Sequence, residues 1–202
     1  MSVVPTGASA RARGLLAPLA RGLQRLGVSA NAVTITGFAV TVSGAAVLAS
    51  GQPAQALVVL LIGTLADVLD GQIARLSGGG TKLGAFLDST FDRLSDASLM
   101  VAAMLVALTR ENTLLFLAAL IALVAGSLVP YIRAKAESLG LTASVGLAPR
   151  EARLALFVLG VAAWAVTGTL QLFAAAVAVV ALLSTLTAIQ RIAHVARAFR
   201  NT

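Results

Sequence analysis

Six long apolar segments, separated by short polar links, run through most of this sequence. Each segment approaches the roughly 20 residues that an apolar α-helix needs to cross the hydrocarbon core of a bilayer. Charged residues make up only 11% of the chain, against about 25% in an ordinary soluble domain. The sequence therefore predicts an all-α membrane protein with six transmembrane helices in one domain, residues 31–202. The segments cover approximately residues 31–50, 54–76, 84–109, 112–137, 148–168 and 170–197.

The distribution of basic residues predicts the orientation of these helices. If the N-terminus is cytoplasmic, fourteen of the fifteen lysines and arginines fall on the cytoplasmic side and only Arg110 falls outside. This bias is the usual sign of orientation in membrane proteins. We therefore expect both termini to be cytoplasmic. The net charge of +7 then marks helix ends at a membrane surface, and the hydropathy argues against nucleic-acid binding.

Residues 1–30 are predicted to form an amphipathic segment beside the membrane. Leucines at positions 15, 16, 19, 23 and 26 recur at helical spacing with arginines between them, as in a helix lying in the cytoplasmic interface. The alternative is a direct continuation into the first span. Gly27 and Asn31, a candidate helix cap, favour a break between the two helices.

All five aspartates of the chain lie between residues 67 and 96. In the second segment, Asp67 and Asp70 are three residues apart and share a helix face. In the third segment, Asp88, Asp92 and Asp96 recur every four residues in one stripe. A glycine-rich link, residues 77–84, joins the two helices. We therefore expect the two acidic faces to meet at similar depth.

Carboxylates gathered in this way are costly, because ionisable groups in membrane helices lose hydration and repel one another. One or two divalent cations would remove both penalties. The chain has no cysteine, and oxygen ligands alone favour Mg²⁺, Mn²⁺ or Ca²⁺ over zinc. Gly71 and Ala74 lack bulk beside the carboxylates and would leave room for a ligand, although close helix packing through small residues is the alternative.

The spacing of these residues resembles the signature of the CDP-alcohol phosphotransferases. The matching pattern is Asp67-x2-Asp70-Gly71-x2-Ala74-Arg75-x8-Gly84-x3-Asp88-x3-Asp92. The resemblance implies six helices, a cytoplasmic active site, and transfer of a substituted phosphate from a CDP-linked donor to an alcohol with release of CMP. It also implies that Asp67, Asp70, Asp88 and Asp92 hold two Mg²⁺ or Mn²⁺ ions, with Asp92 as the general base.

The same resemblance implies which residues bind the donor. Gly71 and Ala74 would let the nucleotide lie against the helix, and Arg75 would neutralise phosphate charge. The expected donor residues are Asn31, Thr34, Asp67, Asp70, Gly71, Ala74, Arg75 and Gly84.

Three of the polar residues in this region have structural explanations as well. For Asn31 and Thr34, the alternatives are a helix cap and an intrahelical hydroxyl bond. For Asp96, which lies outside the family pattern, the alternatives are support of the site and a structural pair with Arg93, and we favour the structural pair.

Five basic residues at the cytoplasmic ends of the last three helices form a candidate acceptor site. Positive-inside anchoring is one explanation for them. Basic clusters that meet at one depth beside a metal site are better explained as an anion pocket. These residues are Arg133, Lys135, Arg150, Arg153 and Arg191.

The resemblance extends to bacterial phosphatidylinositol-phosphate synthases through "GGGTKLGAFLDSTFDRLSD", the run from Tyr131 to Glu137, the Arg150–Leu154 motif and "IQR" at 189–191. It implies a homodimer among the lipids of a bacterial cell membrane, which joins CDP-diacylglycerol to inositol 1-phosphate. Pro149 and Ala152 stand where those enzymes usually carry glutamates.

Two other functions fit parts of the pattern. A phosphatidylglycerophosphate synthase would need similar basic residues for the phosphate of glycerol 3-phosphate. A divalent-cation transporter would also carry aspartates within the membrane. Carboxylates confined to the cytoplasmic helix ends disfavour the transporter, since a transport path would cross the midplane.

Overall fold

The structure, a computed structural model, describes the backbone of residues 7–200 and the side chains from Leu16 onward. Residues 1–6 of the predicted N-terminal segment lie outside the described residues, as do the side chains of Arg11, Arg13 and Leu15. The described part is all-helical, as predicted. Its helices are α1 (Gly7–Arg25), α2 (Ala30–Ala49), α3 (Pro53–Leu76), α4 (Lys82–Thr109), α5 (Thr113–Ser138), α6 (Arg150–Thr167) and α7 (Leu170–Arg200).

Four of these helices, α2, α3, α5 and α7, are long and apolar enough to cross a membrane. This supports an integral membrane protein. The other two long helices carry charge at one end, which lowers their hydropathy. Helix α6 begins with Arg150, Glu151 and Arg153 within its first four residues, and α4 carries three aspartates within its first fifteen residues.

Helices α3 and α4 both pack along α2 rather than against each other. The α2–α3 contact is close because glycines face it. A methyl group on Gly63 would lie 2.5 Å from Thr41 Oγ1, and one on Gly37 would lie 2.8 Å from Ala66 Cβ. This close approach brings the start of α2 beside the end of α3.

The apolar core lies away from that end, among α2 to α7. An aromatic group marks its far side: the Phe157 and Phe173 rings meet edge to face at 5.3 Å, and Trp164 stacks on Phe173 at 5.8 Å. The polar site therefore lies at one end of a well-packed bundle, not at its centre.

The predicted break before the first long helix is confirmed. Helix α1 ends at Arg25, and Gly27 adopts a positive φ of 78°, a backbone conformation that glycine enters at little cost. The expectation that Asn31 caps α2 is wrong. Ser29 is the cap, and its Oγ accepts a hydrogen bond from the Ala32 amide at 3.2 Å.

Helix α1 packs against the acidic end of α3. Its Ala20 is fully buried against Leu69 and Ile73. The Gln24 amide donates to the Leu76 carbonyl at 3.1 Å, at the C-terminus of α3. Helix α1 is therefore attached to the bundle beside the acidic site.

Candidate active site

Three carboxylates from α3 and α4 form the heart of the site. Oxygens of Asp67, Asp70 and Asp88 all lie within 4.8 Å of one another, and we call these residues the carboxylate cluster. The link between the helices allows this meeting: Gly78 and Gly79 adopt positive φ values of 90° and 111°, which side-chain-bearing residues rarely take. The predicted meeting of the acidic faces thus appears in the structure.

Asp70 is the buried member of the cluster, with 6% of its surface exposed. The Thr34 hydroxyl donates to its Oδ2 at 2.7 Å and lies 3.1 Å from the Ala30 carbonyl on its own helix. Thr34 is thus both a neighbour of the site and an intrahelical partner. Among the residues that the structure describes, no lysine or arginine lies within salt-bridge distance of Asp70 or Asp88.

A cavity of about 390 Å³ opens between α3, α4 and the start of α2; we call it the glycine-lined cavity. Six of the eight expected donor residues line it: Asn31, Thr34, Asp70, Gly71, Ala74 and Gly84. Of the remaining two, Arg75 lies at its edge, with Nη2 3.9 Å from the point where a methyl group on Gly71 would sit. Asp67 lies on the other side of the cluster.

Several lining residues were not anticipated from the sequence. Ser29 and Ser77, together with Gly79, Gly80 and Thr81, complete the wall of the glycine-lined cavity. Thr81 caps α4 by accepting a hydrogen bond from the Gly84 amide at 2.9 Å. The pattern of caps and glycines at 77–84 was a local signal for this wall, since exposed backbone and hydroxyl groups there can serve a ligand.

Arg150, an expected acceptor residue, reaches the aspartates from the start of α6. Its Nη1 lies 2.9 Å from Asp92 Oδ1 and 3.4 Å from Asp67 Oδ2, and its Nε donates to Asp96 Oδ1 at 3.2 Å. The expected pair of Asp96 with Arg93 is not the salt bridge that forms. Arg93 instead lies 3.7 Å from Asp92.

Arg153 lies one turn further along α6 in a different environment. It is buried, with 8% of its surface exposed, and its Nη1 lies 3.5 Å from Ser184 Oγ on α7. Arg150, Arg153 and Asp96 line a second cavity of about 50 Å³ between α4, α5, α6 and α7, which we call the arginine-lined cavity. Within the described residues, no carboxylate forms a salt bridge with Arg153.

The other three expected acceptor residues do not line that cavity. The Arg191 guanidinium donates to the Val145 carbonyl at 2.9 Å and to the Val129 carbonyl at 2.7 Å, joining α7 to the α5–α6 loop and to α5. Arg133 forms an exposed salt bridge with Glu137 at 2.8 Å. Lys135 is exposed on the same helix.

Between the two cavities lies a third pocket of about 30 Å³, which contains Asp67 and Asp92 and shares Asp70 with the first cavity and Asp96 with the second. On one side is a roomy cavity walled by small residues, and on the other is a smaller cavity with two buried or half-buried guanidiniums. These ligands fit a hard divalent cation, because the carboxylate cluster offers oxygens only and Asp70 and Asp88 form no salt bridge within the described residues. Such a site can hold a charged diphosphate next to a second anion.

Comparison with known proteins decides between the chemistries that this geometry allows. The CDP-alcohol phosphatidyltransferase family profile matches residues 27–196, which include both cavities and all the aspartates. The chain belongs to this family. The predicted family membership is therefore confirmed, and with it the enzyme class.

Several relatives within the family have named activities. A phosphatidylinositol phosphate synthase of Mycobacterium marinum is 37% identical over 156 residues, which cover 71% of this chain and 62% of the relative. The match to the enzyme of that name from Mycobacterium bovis is 36% over 163 residues, covering 79% and 75% of the two chains. An archaetidylinositol phosphate synthase of Methanothermobacter thermautotrophicus is 36% identical over 136 residues, covering 67% of each.

Solved structures share the fold as well. The crystal structure of Mycobacterium tuberculosis phosphatidylinositol phosphate synthase with CDP-DAG bound superposes with a TM-score of 0.82 and 33% identity, covering 89% of this chain and 92% of that one. The same enzyme in complex with manganese and citrate gives a TM-score of 0.82 over 88% of this chain and 87% of that one.

Proposed function

We propose that this chain is a phosphatidylinositol phosphate synthase. It transfers the phosphatidyl group of CDP-diacylglycerol to inositol 1-phosphate and releases CMP. The observation that carries this proposal is the position of the carboxylate cluster between a roomy cavity and a buried arginine, in a chain of this family. The mycobacterial relatives, and the enzyme solved with CDP-DAG, support the choice of substrates.

The glycine-lined cavity is the donor site. Its volume of about 390 Å³ lies in the range of small-molecule pockets. The lack of side chains at Gly71 and Gly84 lets a nucleotide approach the helix backbones. Asn31 and Thr34 provide polar atoms on the wall, and Arg75 at the edge supplies a positive charge for phosphate.

Asp67, Asp70, Asp88 and Asp92 would hold two divalent ions, Mg²⁺ or Mn²⁺. Two features support metal binding by these residues: all their ligand atoms are oxygens, and the distances within the carboxylate cluster are short. A family relative has been solved in complex with manganese. When bound, such ions neutralise the charge of a diphosphate and make its phosphorus more electrophilic. Thr34 fixes the orientation of Asp70 by its hydrogen bond.

Asp92 is the general base of the reaction. It accepts the proton of the acceptor hydroxyl while the hydroxyl oxygen bonds to the phosphatidyl phosphorus and the bond to CMP breaks. Its side chain is 18% exposed and lies beside Asp67 and Arg150, between the two cavities. A carboxylate at the border of donor and acceptor sites is well placed for this transfer, since a base must reach the proton directly or through one water.

Arg153 anchors the phosphate of the acceptor. It is buried, and a buried guanidinium without a carboxylate partner is suited to an anion that arrives as substrate. Arg133, Lys135 and Arg191 add positive charge around it, at the cytoplasmic ends of α5 and α7. This positive charge favours an acceptor that already carries phosphate over a neutral alcohol.

The enzyme spans the membrane six times, through α2 to α7. The four apolar helices support four of these spans. The charged residues of α4 and α6 lie at the same end of the bundle as the carboxylate cluster. Helix α1 lies in the cytoplasmic interface, with the active site and both termini on the same side, in the cell membrane of a bacterium. By resemblance to the family, the enzyme is a homodimer.

The test is an acceptor panel with the full chain purified in detergent. CMP release from CDP-diacylglycerol is measured with inositol 1-phosphate, glycerol 3-phosphate and free inositol, each with Mg²⁺ or Mn²⁺. We expect metal-dependent release with inositol 1-phosphate only. Preferential use of glycerol 3-phosphate would replace the proposed acceptor. If the protein carried the divalent cation across vesicle membranes and released no CMP, a transporter would replace the enzyme as its function.

A further inference from the structure

Arg150 and Arg153 lie three residues apart on α6, yet their partners differ. Arg150 contacts three carboxylates, whereas Arg153 contacts none within salt-bridge distance in the described part of the chain. We propose that Arg150 is a positioning residue: it holds Asp92 in place and balances the charge of the aspartates, and it does not bind the acceptor phosphate. This inference rests on the proposed function, because Asp92 is the base of that reaction.

The Arg150 guanidinium contacts two aspartates of α4 at the same time. Its Nε donates to Asp96 Oδ1 at 3.2 Å, while its Nη1 lies 2.9 Å from Asp92 Oδ1. Asp92 and Asp96 are one turn apart on α4, so one rigid fork spans both. Guanidinium is suited to this role because its donors are fixed in one plane. Asp96, which lies outside the family pattern, then acts as the anchor that aims Arg150 at Asp92.

The connection also links three helices. The same Nη1 lies 3.4 Å from Asp67 Oδ2 on α3, so α6 contacts both acidic helices through a single side chain. Helices α3 and α4 pack along α2 and not against each other. The Arg150 contacts therefore help to set the separation between Asp67 and Asp92 across the site.

The two arginines differ in whether their N–H groups already contact carboxylates. The Arg150 side chain is 22% exposed, and the contacts to Asp67, Asp92 and Asp96 engage its Nε and Nη1. A phosphate anion would meet three carboxylates there and be repelled. Arg153 is more deeply buried and has only a hydroxyl near its Nη1, so it is the arginine free to receive the acceptor.

The charge of Arg150 has a consequence for metal binding. A guanidinium near Asp67 and Asp92 competes with a divalent cation for the same oxygens. Its removal leaves the aspartates more negative, and one unit charge about 6 Å from a divalent ion is worth at least roughly tenfold in cation affinity even at the dielectric of bulk water. Because the lost charge acts on the metal whichever role Arg150 has, the acceptor KM is the measurement that separates positioning from acceptor binding.

The experiment uses the full chain in detergent with the variants Arg150→Gln and Arg150→Lys. Arg110→Gln is the matched control, because Arg110 is exposed at the opposite end of α4 and loses the same charge. Mn²⁺ binding is measured by the electron paramagnetic resonance signal of the free ion and by the rise in thermal stability on adding Mn²⁺. The kcat and the KM for inositol 1-phosphate are measured at saturating metal and donor.

We expect Arg150→Gln to bind Mn²⁺ roughly tenfold more tightly and to gain more thermal stability from Mn²⁺ than the parent. Its kcat falls by about 100-fold, as expected when a reacting group loses its alignment, while the acceptor KM stays within about threefold, since no acceptor contact is lost. Arg150→Lys keeps the charge but cannot span Asp92 and Asp96, so its Mn²⁺ affinity is near that of the parent while kcat remains low. Arg110→Gln resembles the parent in every measurement.

A large rise in acceptor KM in Arg150→Gln, whatever its Mn²⁺ affinity, would overturn the proposal and return Arg150 to the acceptor site. Unchanged kcat with unchanged Mn²⁺ affinity would overturn it as well. If the parent uses another alcohol phosphate, the proposed function fails in its acceptor, and the kcat and KM for that alcohol phosphate then decide the role of Arg150. If Arg150→Gln does not fold, Arg150→Lys decides: a kcat equal to that of the parent would refute the positioning role.

Discussion

Two glycines on α3 predict opposite effects of the same substitution. Gly71 faces the glycine-lined cavity, and a methyl group there would have no described atom closer than Arg75 Nη2 at 3.9 Å. Gly63 faces α2, where the methyl would lie 2.5 Å from Thr41 Oγ1 and 3.4 Å from Thr41 backbone atoms. Thr41 cannot easily move away, because its hydroxyl donates to the Gly37 carbonyl at 3.0 Å.

The magnitudes follow from these surroundings. Gly71→Ala should keep or raise the free energy of unfolding, since alanine is favoured over glycine in helices by up to about 1 kcal/mol. Gly63→Ala should lower it by about 1–3 kcal/mol, the usual cost of overpacking. Gly71→Leu projects further into the cavity, and a comparable steric cost to the donor of about 1–3 kcal/mol corresponds to roughly 5- to 150-fold weaker binding.

Two measurements separate the outcomes. Thermal unfolding of the detergent-purified variants reports the stability of the bundle, and calorimetric titration with CDP-diacylglycerol in the presence of Mg²⁺ reports donor affinity. We expect a stable Gly71→Leu protein that binds the donor poorly, and a less stable Gly63→Ala protein that binds it normally when folded. Wild-type donor affinity in Gly71→Leu would refute the assignment of the glycine-lined cavity to the donor.

Three further predictions concern the polar residues. Asp92→Asn should abolish turnover yet retain donor binding, because the base acts on the acceptor; a rate near that of the parent would remove Asp92 from the mechanism. Thr34→Val should weaken metal-dependent donor binding by roughly tenfold or more, since a hydrogen bond to a charged group is worth about 1.5–3 kcal/mol, and Asp70→Asn should weaken it further; equal CMP binding with and without Mg²⁺ in the parent would contradict both. Arg153→Ala should raise the KM for inositol 1-phosphate strongly, by the equivalent of about 2–5 kcal/mol, with little change in donor affinity, and a change confined to the donor would exclude Arg153 from the acceptor site.

Helix positions and the acidic faces were predictable because both depend on local periodicity. The segment expected at 31–50 is Ala30–Ala49, and that expected at 84–109 is Lys82–Thr109. Apolar runs determine where a helix can lie, and spacings of three and four determine which side chains share its face. The short link between the two acidic helices made the meeting of Asp67, Asp70 and Asp88 a direct consequence.

The partners of the arginines were not predictable, since they depend on contacts between distant helices. The sequence predicts that Arg150 and Arg191 lie near the cytoplasmic ends of helices, but it does not indicate which oxygens they reach. Arg191 reaches backbone carbonyls, which no side-chain pattern reveals. The error at Asn31 has a local cause: Ser29 two residues earlier is an equally good cap, and the turn at Gly27 starts the helix there.

The order of the site along the chain has a consequence for biogenesis. The wall of the glycine-lined cavity and all the aspartates belong to α2, α3 and α4, whereas Arg150 arrives with α6 after about fifty more residues. Proteins are synthesised from the N-terminus, so the aspartates of the site are made before Arg150, whose positive charge offsets theirs. During that interval the aspartates must stay at the hydrated surface or capture a cation, because unpaired charges are costly within a bilayer. A nascent chain held before α6 should therefore depend more strongly on divalent ions for its integration than the finished enzyme does.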